Sequence, residues 1–97
     1  MPREQNISPQ LKEAALLHFE RGVPVGDCKV HAQLRKRLER VSHVYGLWRQ
    51  HPFLDTYKLF RQLARGHYAA ASGETRAARD DQQFFDYVVA SMNDNQK

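Results

Sequence analysis

From Cys28 to Gln50 the chain contains no proline and, before Gly46, no glycine. Within that run Val30, Leu34, Leu38, Val41, Tyr45 and Trp48 fall inside an arc of about 80° when successive residues are turned by 100°. An unbroken segment with one apolar stripe predicts a long amphipathic helix, and a helix of that kind has to be covered by others. The rest of the chain must therefore supply packing partners for it.

The punctuation on either side marks out three more helices. Ser8 followed by Pro9 reads as an N-cap with proline in the first turn, Ile7 and Leu11 are spaced close to a hydrophobic staple, and Gly22 after Arg21 is a stop signal. Helix one is predicted over about 9–21. The stretch Gly22 to Gly26 is a loop, and Asp27 is a candidate N-cap that would start helix two at 28 and carry it to 50. Pro52 is a candidate opener for helix three over 53–71, with Phe53, Tyr57, Phe60, Ala64 and Tyr68 as its apolar arc and Gly66 as a point of shortening or bending. Ser72-Gly73 then reads as a break, after which Thr75 or the Asp80-Asp81 pair caps helix four over 76–92, with Phe84, Phe85, Val88, Val89 and Met92 at helical spacing. Residues 93–97 are expected to fray. No alternating strand, internal repeat or low-complexity tract interrupts this pattern, so residues 1–97 are read as a single all-α domain, a compact bundle of four helices.

Composition agrees with one soluble core: 97 residues, 41% hydrophobic and 27% charged, with few glycines and prolines. No apolar run reaches the roughly 20 residues that cross a bilayer, and the N-terminus has no hydrophobic signal region, so a cytoplasmic protein without a membrane partner is expected. A single cysteine, Cys28, has no internal partner for a disulfide.

The charge is distributed unevenly. Between Lys29 and Arg65 nine Lys/Arg face two acids, Glu39 and Asp55, a local excess of +7 in a chain whose net charge is +4. Such a block is the kind of field that draws a polyanion. On helix two Lys29, Lys36, Arg40 and His43 lie away from the apolar stripe, and on helix three Lys58, Arg61 and Arg65 form a second row. A hairpin through His51-Pro52 would merge the two rows into one patch that neutralises phosphates, with Tyr57 and Tyr68 at its rim. The simpler reading of the same faces is the solvated side that every amphipathic helix needs. Against it stands the scarcity of acids: only Glu39 follows the cap on helix two.

The segment AALLHFERGVPV, Ala14 to Val25, resembles the first helix and turn of helix-turn-helix domains in transposases and bacterial regulators. The chain then departs from that pattern, since Cys28 to Arg40 lacks the further glycine-containing turn. A two-helix version implies Lys29, Gln33, Lys36, Arg37 and Arg40 as the groove-facing set, with Gln33 suited to adenine and the arginines to guanine. Together with Lys58, Arg61 and Arg65 these form the predicted nucleic-acid site, and duplex DNA is the expected partner of a regulator or a mobile-element accessory factor.

Catalytic and metal motifs do not accumulate. There is no phosphate-binding glycine loop, no HExxH, no paired CxxC and no GxSxG elbow, so no catalytic residue, metal or cofactor is assigned and a non-enzymatic protein is expected. Asp27, Cys28 and His31 have fragments of zinc-ligand spacing, with His18 or His43 as conceivable additions, and Cys28 at a helix start has the setting of an activated thiol. A cap, a small buried side chain and a surface histidine explain the same three residues more simply. The rival function is an adaptor or inhibitor that works by protein contact. Val44 and Leu47 lie off the main stripe of helix two and call for either an enclosed helix or a homodimer. An acidic surface, whether on another protein or from Asp80, Asp81 and Asp86 of the same chain, would occupy the basic patch.

Overall fold

Residues 7–66 and 71–95 are described by a computed structural model. Four α-helices, α1 (Pro9–Ala15), α2 (Ala32–Gln50), α3 (Thr56–Ala64) and α4 (Ala71–Asn95), make up an all-α bundle with no strand among the described residues. Its Cα radius of gyration, 13.1 Å, is that of one compact unit of about this length.

Helix α1 starts as the sequence predicts. The Ser8 side chain accepts a hydrogen bond from the Leu11 N–H, and Pro9 needs no partner for an N–H it lacks. Past Ala15 the helix widens into a π turn, Leu16–Glu20, in which the Arg21 N–H reaches the Leu16 carbonyl at 3.3 Å. Gly22 then takes φ +78°, the left-handed conformation that ends helices and favours glycine.

Helix two does not start at 28. Val25–Asp27 form a short 3-10 turn, and Cys28 to His31 run extended, with Cys28 and Val30 buried and Lys29 and His31 exposed. Two-residue alternation buries both apolar side chains before the helix begins. His31 serves as N-cap, its Nδ1 accepting from the Gln33 N–H, while Asp27 caps nothing here. From Ala32 onward the expected stripe forms. Leu38 and Val41 are fully buried, and so is Val44, because α2 contacts α1, α3 and α4 and is enclosed on more than one side. Trp48 packs edge-on against Phe85 of α4, with ring centroids 5.7 Å apart. Of the two off-stripe apolar side chains, Val44 is thus covered within one chain, while Leu47 is half-buried.

Helix three is shorter than 53–71 because Pro52 belongs to a turn. The Leu54 N–H bonds the His51 carbonyl at 3.1 Å, which places Pro52 and Phe53 at the two corner positions of a β-turn, the first of which proline favours. Asp55 caps α3 instead, accepting from the Lys58 N–H. Phe53, expected in the core arc, is 99% exposed. Gly66 at φ +92° follows the end of α3, while His67 and Tyr68 lie outside the described residues. Helix four begins earlier than 76 and extends to Asn95, past the expected start of the frayed tail. Ser72-Gly73 does not break it, since both sit in its first turn, where backbone N–H groups lack helical partners in any case and Glu74 favours the helix dipole.

A chain of aromatic rings ties the elements together. Phe19 meets Tyr45, Tyr45 meets Trp48, and Phe85 touches Tyr45, Trp48 and Phe60, so rings from the π turn, α2, α3 and α4 share one core. His18 fastens the loop side. Its Nδ1 donates to the Val23 carbonyl and its Nε2 shares a hydrogen bond with the Ser42 hydroxyl, both at 2.7 Å.

Candidate nucleic-acid interface

The buried face of α4 contains Ala77, Ala78, Phe84, Phe85 and Val88, and in the middle of it Asp81, also fully buried. A carboxylate there needs a cation and hydrogen-bond donors. Both come from α2. Arg40 grips it side-on, with Nε 2.6 Å from Oδ2 and Nη2 3.3 Å from Oδ1, and Arg37 places Nε 3.6 Å from Oδ1 while its Nη2 donates to the Asp80 carbonyl. Arg37 also lies over the Phe84 ring. Burial pushes the Asp81 carboxyl above its ordinary range, and the guanidiniums of Arg40 and Arg37 pull it back part of the way.

This cluster corrects the prediction that Arg40 lies on the solvated side of α2. The Arg37 and Arg40 side chains are only 19% and 20% exposed and are turned toward α4. Arg61 is engaged as well, with Nη2 3.3 Å from Glu74 Oε2, in a pair that keeps 43% of the Arg61 side chain exposed. The other five predicted residues are open to solvent: Lys29 in the extended entry to α2, Gln33 and Lys36 in its first turns, Lys58 at the start of α3 and Arg65 at its end. Arg76 and Arg79, which were not in the predicted set, are exposed on the outer side of α4. Their i, i+3 spacing opposite the apolar stripe of that helix is the signal that marks them.

The helix-turn-helix implication does not hold geometrically. Lys29 precedes the helix that carries Gln33, and Arg37 and Arg40 are held against Asp81 rather than presented with Lys36. Between the first helix and α2 stand a π turn, a 3-10 turn and an extended segment, where that motif has a simple turn. The fragments of a zinc site are also parted: Cys28 is buried with its Sγ toward the carbonyls of Ala14 and Pro24, whereas Asp27 and His31 are exposed. Burial pushes the Cys28 thiol up, and nearby Asp27 adds to the effect, the opposite of an activated nucleophile. Among the described residues no three His, Cys, Asp or Glu converge on a point that could hold a metal ion. No described helix is long and apolar enough to cross a membrane.

The positive excess of the central block is thus reduced, not removed. Asp81 and Glu74, both from outside the block, pair with three of its arginines, Arg37, Arg40 and Arg61. Arg37 and Arg40 share the Asp81 carboxylate at the α2–α4 seam, where the charge of Asp80 also acts. No protein-family model, curated protein or solved structure matches the chain.

Proposed function

We propose that this chain is a small helical nucleic-acid-binding protein, with duplex DNA as its partner in a regulatory or mobile-element setting. The observation that carries the reading is the positive surplus of the central block, displayed on exposed positions by Lys36 of α2, Lys58 of α3, and Lys29 and Arg65 just outside those helices. Cations at such positions bind phosphates chiefly by releasing counterions, so affinity follows salt steeply. Arg37 and Arg40 have a different role in this reading. Asp81 fixes them and spends part of their charge, so they support the surface more than they contact phosphate.

The test is anisotropy of a labelled duplex at about 50 and 200 mM salt. Binding should weaken by orders of magnitude across that range, and the double change Lys36→Glu with Lys58→Glu should abolish it without changing the thermal melt, because both side chains are exposed and make no ion pair with a buried group. Salt-independent binding, or no binding at the lower salt, refutes the proposal.

The rival reading, an adaptor acting by protein contact, has one observation in its favour: Phe53 stands in solvent as a bare aromatic side chain. Its partner would be a protein whose acidic surface answers the cations of α2 and α3. Loss of duplex binding in the parent, with retention of a basic-surface-dependent protein partner, would decide for it.

A further inference from the structure

Phe53 is the most exposed large apolar side chain in the described fold, at 99%, and the backbone that carries it is fastened on both sides. The His51 N–H closes α2 on the Leu47 carbonyl at 2.8 Å, the Leu54 N–H closes the β-turn on His51, and the Asp55 carboxylate caps α3. Pro52 removes a further degree of freedom at the first corner. An aromatic ring held outward by a stiff turn is pre-organised for a partner, since little conformational freedom is lost when it is covered. Its surroundings select the partner. Arg49, which lies over the Tyr45 ring, and His51 before it and Lys58 after it are exposed, and the one acid in this stretch, Asp55, caps α3 and keeps its charge, so the cations still outnumber it. An aromatic ring flanked by cations is the arrangement by which proteins stack on unpaired bases while neutralising the adjoining phosphates.

We propose that the His51–Leu54 turn is a base-stacking tip, with Phe53 inserting against an unpaired or unstacked base and Arg49 and Lys58 meeting the flanking phosphates. The inference rests on the nucleic-acid reading above and adds to it a contact with an unpaired or unstacked base beside the phosphate-binding surface. Duplex binding through α2 and α3 would then position the tip at an opened step.

The experiment measures anisotropy of a labelled mixed-sequence single strand and of the matched duplex against the parent and Phe53→Ala at one salt concentration, then repeats the single strand across a salt series. Stacking of one base corresponds to a loss of roughly 5- to 150-fold in single-strand affinity for Phe53→Ala. The salt slope should stay that of the parent, because no phosphate contact is removed, and the thermal melt should not move, because the ring covers nothing. A Phe53→Trp variant should bind like the parent and show fluorescence quenched by the single strand beyond the signal of Trp48 alone. Unchanged single-strand affinity in Phe53→Ala, with parent binding intact and salt-dependent, overturns the tip and leaves the basic-surface reading standing. A parent that binds neither strand nor duplex overturns both. Equal losses on duplex and single strand with a reduced salt slope also overturn the tip, since Phe53 would then be supporting a phosphate site instead of stacking.

Discussion

Replacing Arg40 by methionine strands the buried Asp81 carboxylate. In the parent the buried Asp81 carboxylate has its closest contact, 2.6 Å, with Arg40, and its second cation, Arg37, stands off at 3.6 Å, beyond hydrogen-bond length. Methionine keeps most of the arginine stem, so the packing of α2 on α4 is largely preserved while the charge is lost. Stranding one partner of a buried ion pair costs about 3–5 kcal/mol, and the remaining Arg37 puts this case near the lower value. About 3 kcal/mol is a large part of the roughly 5–15 kcal/mol that holds such a domain together, and it corresponds to a melting point lower by about 12–24 °C. The opposite change is milder. Asp81→Asn keeps the shape and a hydrogen-bond acceptor, and it leaves two guanidiniums that are already about one-fifth exposed and can turn to water, so its cost should be near 1 kcal/mol.

The pH dependence follows from the same geometry. Burial already raises the Asp81 carboxyl, and without Arg40 it rises further. A carboxyl whose folded pKa lies above its unfolded value contributes stability that is fully present below the unfolded pKa and is lost as pH rises through the folded one. The deficit of Arg40→Met relative to the parent should therefore be largest at neutral pH and narrow as pH falls toward about 4, the ordinary carboxylate range. Urea titrations followed by helical circular dichroism at several pH values give the comparison directly. An Asp81→Asn variant that loses as much as Arg40→Met at pH 7, or a deficit that does not narrow on acidification, would refute the buried-carboxylate account.

Three further outcomes are expected. Gly46 is an exposed residue within α2 with no atom within 4 Å of where a Cβ would stand, so Gly46→Ala should raise stability by about 0.5–1 kcal/mol, read as a higher urea midpoint at unchanged slope. Leu38 is fully enclosed at the centre of α2, and Leu38→Ala should cost about 2–5 kcal/mol in the same titration. Cys28 is buried and its thiol is pushed up, so a disulfide reagent at neutral pH should modify it at the rate of unfolding, and urea should accelerate the reaction.

The sequence periodicity located α2 and the Ser8-Pro9 start of α1 because each depends on signals within a single turn or stripe. It placed the start of α2 too early because Cys28, Lys29, Val30 and His31 alternate for only four residues, too short a run to stand out beside the helical stripe that shares Val30. It assigned Pro52 to α3 because proline opens helices and turns equally well, and Asp55, three residues on, carries the better cap. The placement of Arg40 failed for a more instructive reason. A wheel of α2 alone shows which cations avoid the apolar stripe, not which neighbouring helix receives them. The other half lies in α4, where Asp81, one of the three acids named as candidates to occupy the patch, is three and four residues from Ala78 and Ala77 on one side and from Phe84 and Phe85 on the other. A carboxylate at the centre of a core stripe requires a cation from another element, and the i, i+3 pair Arg37 and Arg40 meets that requirement with its stems along α2. Asp80-Asp81 reads as a cap only while helix four is assumed to begin beside it. Once the helix extends back to Ala71, Asp81 lies deep inside it, and the basic surface available to a ligand shifts outward to Lys29, Lys36, Lys58, Arg65, Arg76 and Arg79.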